Sequence, residues 1–226
     1  MKKILFTILI CFSLLFIQNF NLNVNAQDNE TAYEYLKKYS IVDNIGKVTR
    51  EECITLIGRV LGFTDCMAFD YQTKLSYYMP PYLDVEFYQN IHSGYIFKAT
   101  NEKIIAGRRF GEYEYLSQLF GKPVMIPYFE PEEYVTYDEA IAFIMRCLEE
   151  SELELKSTYS RAIERGLIVE SDTFYNKHNE PVILEDMCLL LYRMLDQNCY
   201  KYFDDSIENP QQYTYRQLLE MKIQND

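Results

Sequence analysis

Three stretches of the chain repeat one arrangement of apolar and polar positions. Val48–Gly62, Val135–Glu149 and Val182–Asp196 align without gaps over 15 residues. With each opening Val counted as zero, offsets 5, 6, 8, 9, 12 and 13 are apolar in all three. That spacing is a helical stripe and not the strict alternation of a strand. It predicts three helices of about three to four turns, each entered just after its valine. Thr49 with Glu52, and Thr136 with Glu139, have the Thr-x-x-Glu spacing of a capping box. Offset 4 is always acidic (Glu52, Glu139, Asp186), and offset 11 is always Arg59, Arg146 or Arg193. Acid near the start and arginine near the end complement the helix dipole, so the arginines are expected to serve that role together with surface ion pairs.

A shorter pattern precedes each stripe. Leu36, Ala99 and Ala162 correspond, and an aliphatic pair follows five residues later: Ile41-Val42, Ile104-Ile105 and Leu167-Ile168. Each unit therefore reads helix, loop, helix. One such pair cannot bury its own stripe, whereas three packed together can. The expected fold class is all-α, three helix-loop-helix units with two irregular inserts. The units are 27–62, 82–149 and 150–196; the inserts are 63–81 and 108–128, and 197–226 resembles the start of a further unit. Within the second insert, Lys122 to Pro127 reads as a short edge strand bounded by prolines.

The first 26 residues read differently. Lys2 and Lys3 precede an apolar run of 14 residues, Ile4 to Ile17, and Val24-Asn25-Ala26 places small residues before Gln27. This is the layout of a signal peptide, too short to span a bilayer, which takes about 20 residues. Five cysteines follow it, at 53, 66, 147, 188 and 199, with no Cys-x-x-Cys pair. Cys53, Cys147 and Cys188 fall on the stripes and are expected to be small buried hydrophobes.

Charge narrows the function classes. The 226 residues carry 22 basic and 34 acidic side chains, a formal charge of −12. Such a balance disfavours nucleic acid and anionic membranes, which are bound by clustered lysine and arginine. Two histidines, His92 and His178, give little to a His-based metal site or catalytic triad. There is no nucleophile elbow, phosphate-binding glycine loop or metal-ligand spacing. The expectation is a protein that is not an enzyme and uses no cofactor or metal.

The repeats resemble the S-layer homology family, usually found as three tandem units. Val48-Thr49-Arg50-Glu51-Glu52 is close to the family's Ile-Thr-Arg-Ala-Glu signature. Tyr82-Leu83-Asp84-Val85, Ile104-Ile105-Ala106-Gly107 and Phe129-Glu130-Pro131 are similar to its other marks, with Lys103 where the family has a glycine. The resemblance implies a pseudo-threefold bundle on the cell surface. Its implied ligand is an anionic secondary cell-wall polysaccharide, pyruvylated in typical cases, held in grooves between units. The signature arginine would pair with the ligand's carboxylate, as its planar fork suits. Only Arg50 keeps that position; Tyr137 and Leu184 replace it in the other units, and there is no tryptophan. The candidate ligand-binding residues are Arg50, Thr49, Asp84 and the basic turn Gly107-Arg108-Arg109. Two functions stay open. One is wall association without catalysis. The other is a secreted helical module that binds another surface protein, its polysaccharide sites decayed.

Overall fold

A computed structural model describes residues 32–42, 46–75, 81–86, 91–149 and 155–225. The signal-peptide expectation, and parts of the first insert and third unit, lie outside them. Residues 32–38 form α1. Arg50–Val60 (α2), Asp65–Leu75 (α3) and His92–Asn101 (α4) follow. Strands Arg109–Glu112 (β1) and Met125–Tyr128 (β2) flank α5, Glu114–Phe120. Then come Tyr137–Leu148 (α6), Leu155–Glu164 (α7), Leu184–Leu195 (α8), a 3-10 turn at Pro210–Gln212, and Tyr215–Asn225 (α9).

The three stripes are α2, α6 and α8, each beginning two residues after its valine. Both capping boxes form. The Thr49 side chain accepts from the Glu52 amide while the Glu52 carboxylate accepts from the Thr49 amide, and Thr136 and Glu139 repeat this. Ile183, which opens α8, makes no side-chain cap.

The segments leading into these helices hold one another. The Val48 amide donates to the Val182 carbonyl at 3.0 Å, Val182 to Val135 at 2.9 Å, and Val135 to Val48 at 3.0 Å, which closes a ring. One step outward, the first amide of each helix donates to the neighbouring segment: Arg50 to Glu133 (2.9 Å), Tyr137 to Glu180 (3.2 Å), Leu184 to Gly46 (2.9 Å). A helix leaves its first four amides without internal partners, and here adjacent repeats supply acceptors. The valines themselves are buried.

The recurring arginines do more than complement a dipole. Arg59, Arg146 and Arg193 each donate through Nη1 to the carbonyl of the first aliphatic residue in the preceding loop: Ile41 (3.2 Å), Ile104 (3.0 Å) and Leu167 (3.0 Å). Those loops share a turn. The amides of Ile41, Ile104 and Leu167 reach back five residues to Leu36, Ala99 and Ala162 at 2.9–3.0 Å. The residue before each is left-handed: Ser40 (φ 54), Lys103 (φ 58) and Gly166 (φ 72). Only Gly166 adopts that conformation without steric cost.

Two expectations need correction. The chain is mostly helical and not purely so, because β1 and β2 pair antiparallel, Arg109 opposite Tyr128 and Glu112 opposite Met125. The inserts are not irregular either. The first contains α3, which packs on α4 so closely that a Cβ on Gly94 would lie 2.1 Å from the Ala68 carbonyl oxygen. The second is the β1–α5–β2 excursion, whose β2 overlaps the expected edge strand.

One contiguous core joins the units, from Leu36 and Ile57 through Phe129, Ile144 and Leu191 to Leu218. The tail docks as a further helix. Thr214 and Gln217 exchange capping bonds, and the buried Tyr215 hydroxyl lies 3.1 Å from the Cys147 and Lys201 carbonyls. Among the described α-helices, α5 alone contributes nothing to the core.

Candidate functional site

The ring sets up three junctions between repeats. At the first two, the offset-two residue of one repeat meets the offset-four acid of the next: Arg50 with Glu139, and Tyr137 with Asp186. At the third, Leu184 and Glu52 line one cavity.

The first junction gathers all six candidate residues. Arg50 is 1% exposed, its guanidinium 4.6 Å from the Phe129 ring centroid and 5.6 Å from that of Phe143. Its Nε donates to the Phe129 carbonyl (2.8 Å), Nη2 to the Ala106 carbonyl (3.3 Å), and Nη1 to Glu139 Oε1 (2.5 Å). Arg108 forks onto the same carboxylate at 2.8 and 2.6 Å and also meets Glu130 at 3.3 Å. Arg109 binds Glu130 at 2.7 Å and stacks 4.2 Å from the Tyr128 ring centroid. Asp84 accepts the Phe129 and Glu130 amides at 2.8 and 2.7 Å, which holds the turn that delivers Glu130. Thr49 bridges to Tyr134. Gly107 passes where a Cβ would lie 2.5 Å from Pro127 Cβ.

Along Arg50–Glu139–Arg108–Glu130–Arg109 the charges alternate, so each of the three arginines meets at least one of two carboxylates. Burial works to raise the Glu139 carboxyl, but hydrogen bonds from Arg108 and the charge of Arg50 bring it below the usual range. Burial pulls the Arg50 guanidinium down. The expected ligand fork is therefore committed inside the protein. The amides that would favour an anion at the start of α2 are taken too, Arg50 N by Glu133 and Glu51 N by the Pro131 carbonyl at 3.1 Å. Of the three arginines here only Arg109 is largely exposed, its side chain at 64%.

The second junction is closed by a tyrosine in place of the arginine. The Tyr137 hydroxyl donates to Asp186 Oδ2 at 2.5 Å, and its ring stacks on Phe174 at 5.5 Å with 8° between planes. Thr173 reaches the other Asp186 oxygen at 3.4 Å. Burial raises the Asp186 carboxyl, and the Tyr137 hydrogen bond only partly offsets this.

The third junction is open. A cavity of about 300 Å³ lies between Leu184 and the loop before α2, with Val42, Val48, Leu56, Ile91 and Leu184 as its apolar lining. Lys47, Glu52, Thr55, Arg59 and His92 are its polar lining. The Thr55 hydroxyl donates to the Glu51 carbonyl at 2.9 Å, so at 2.7 Å it accepts from His92 Nδ1, which leaves Nε2 as the free ring nitrogen. Arg59 is tied to Ile41 and Asp65. Lys47 stands 5.3 Å from the Tyr134 ring centroid and has no carboxylate partner among the described residues.

Sequence reasoning missed Glu139 and Glu130, and it missed Lys47, His92 and Leu184 at the third junction. The recurring offset-four acid was the available signal: it caps its own helix and also faces the preceding repeat. The thiols of Cys53, Cys147 and Cys188 are buried as expected, and burial pushes the last two up to about 12. Among the described residues no group of His, Cys, Asp and Glu is placed to hold a metal. No protein-family model matches the chain, and no curated protein sequence matches it.

Proposed function

We propose that this is a secreted, non-catalytic protein of the bacterial cell surface that associates with wall polysaccharide, and that it does so through the third junction. The cavity there is the observation that carries the reading. It sets Lys47 beside an apolar floor of Val48, Leu56 and Leu184, with the His92 ring at its side. A pyruvylated sugar presents a carboxylate next to a methyl group, which matches a cation next to an apolar floor. In this reading the repeats pack about a pseudo-threefold axis as S-layer-homology-like units, and the ring of Val48, Val135 and Val182 supports that packing. The basic head and short apolar run at the N-terminus support secretion. Among the described residues no helix is long and apolar enough to cross a membrane.

Co-sedimentation with purified, pyruvylated cell wall tests the proposal. Lys47→Glu should weaken retention by about tenfold or more, the scale of one lost charge-assisted contact. Leu184→Trp, which fills the cavity, should do the same, while Arg109→Ala retains the parent's binding. Equal retention of Leu184→Trp and the parent would reject the third junction.

A second reading rests on the first two junctions, whose groove residues are satisfied by internal partners. In it the chain is a secreted helical module that binds another surface protein. A parent that fails to sediment with any wall preparation would favour it.

A further inference from the structure

The third junction sets a hydrogen-bond acceptor in the same cavity as its cation. Lys47 is positioned by its backbone, which bridges to Ile183 beside Leu184. His92 lines the cavity from the start of α4. Its ring is fixed by Thr55, which is 3% exposed on α2. The Thr55 hydroxyl gives its one proton to the Glu51 carbonyl at 2.9 Å and takes the Nδ1 proton of His92 at 2.7 Å. An uncharged imidazole carries a single N–H, so Nε2 is left with a lone pair to offer. It has no donor among the described residues.

A lone pair repels a carboxylate and attracts a donor. An anionic sugar held here therefore has its carboxylate at Lys47 and a hydroxyl at Nε2, with its methyl and ring C–H groups on Val48, Leu56 and Leu184. Glu52 also lines the cavity, but its Oε2 is engaged by the Thr49 amide at 2.8 Å. We propose that His92 is a specificity-determining residue of the third junction, its Nε2 accepting a hydrogen bond from one ring hydroxyl of the bound sugar. This role rests on the third junction being the polysaccharide site. A site that hydrogen-bonds a hydroxyl discriminates strongly against the sugar that lacks it, because its own polar group is then left unpaired.

The test is NMR titration of the purified full chain at about pH 8, where an imidazole is uncharged. The ligands are the methyl glycoside of a pyruvylated sugar and its monodeoxy analogues, each lacking one ring hydroxyl. His92→Asn keeps a side-chain N–H for Thr55 and has nothing at the Nε2 position. It should bind the glycoside about fivefold to tenfold more weakly than the parent, with circular dichroism unchanged. One deoxy analogue should bind the parent more weakly by a similar factor. For His92→Asn the same deletion should cost less than about twofold, since both changes remove one bond. His92→Asn binding as tightly as the parent, or losses that multiply for every deoxy analogue, would overturn the role of His92 while leaving the site in place. A parent without saturable shifts at Leu184 and Val48 would overturn the site and this role together.

Discussion

Take the junction between the first and second repeats beside the one between the third and first. Both follow one register around the ring of valines, and both set an offset-two side chain near an offset-four acid. At the first, a buried arginine reaches across to Glu139 and carbonyl oxygens and fills the space. At the other, the offset-two residue is Leu184, Glu52 stays with its own cap, and a cavity of about 300 Å³ remains. One side chain at an equivalent position separates a structural ion pair from an open pocket. The residue that best matches a binding signature is the one the fold has consumed, and of the two junctions that lost the signature, the one with leucine has room for a ligand.

Replacing Arg50 by the leucine of the open junction should break this comparison most severely. Arg50→Leu removes one of the two arginines that hold Glu139, and breaking a buried pair typically costs about 3–5 kcal/mol. Arg108 still holds Glu139, so about 3 kcal/mol is expected from urea unfolding, with wall retention unchanged.

Acid should separate the first and second junctions. Glu139 is held below its ordinary value, so its contribution is full above the unfolded pKa and is lost as pH falls through the lower folded one. Asp186 is raised, so its buried charge costs stability above the folded pKa, and that cost fades as pH falls through it. Thermal melts across acid pH should show Glu139→Gln losing less stability than the parent on acidification. Asp186→Asn should lack the gain that protonation gives the parent.

Making the open junction resemble the closed one should sharpen the comparison. Leu184→Arg sets a fork beside Glu52 and occupies the cavity. Wall retention should fall about tenfold, equivalent to about 1.4 kcal/mol, with the protein still folded by circular dichroism.

The smallest effects belong to the loops that feed the two junctions. Ser40 precedes Ile41-Val42 at the open junction, and Lys103 precedes Ile104-Ile105 and the Ala106 carbonyl at the closed one. Both hold left-handed backbone. Ser40→Gly and Lys103→Gly should each stabilise by about 1 kcal/mol, read as a higher unfolding midpoint.

The sequence made α2, α6 and α8 legible because their information is local: a 15-residue stripe, a threonine cap, an acid at N3. The helix-loop-helix rhythm followed from the aliphatic pairs. The partner of Arg50 was not legible, since Glu139 lies in a different repeat and its own cap already accounted for its position. Arg59, Arg146 and Arg193 read as dipole complements with ion pairs, and Arg59 and Arg193 do pair with Asp65 and Asp172; the acceptor all three share is a loop carbonyl, which no residue type announces. The edge strand near Pro127 was visible from its prolines, whereas β1 was not, since Arg109-Phe110-Gly111-Glu112 is too short and mixed to show alternation. The cavity was invisible because it arises where a long side chain is missing.

Backbone and methyl NMR during titration with a pyruvylated fragment of the wall polysaccharide tests the central claim most directly. The account predicts shifts at Leu184, Val48, Leu56 and the Thr55–His92 pair, with Ala106, Phe129 and Glu139 around Arg50 undisturbed. Saturable shifts confined to the Arg50–Arg108–Arg109 junction, with Leu184 and Val48 silent, would contradict it.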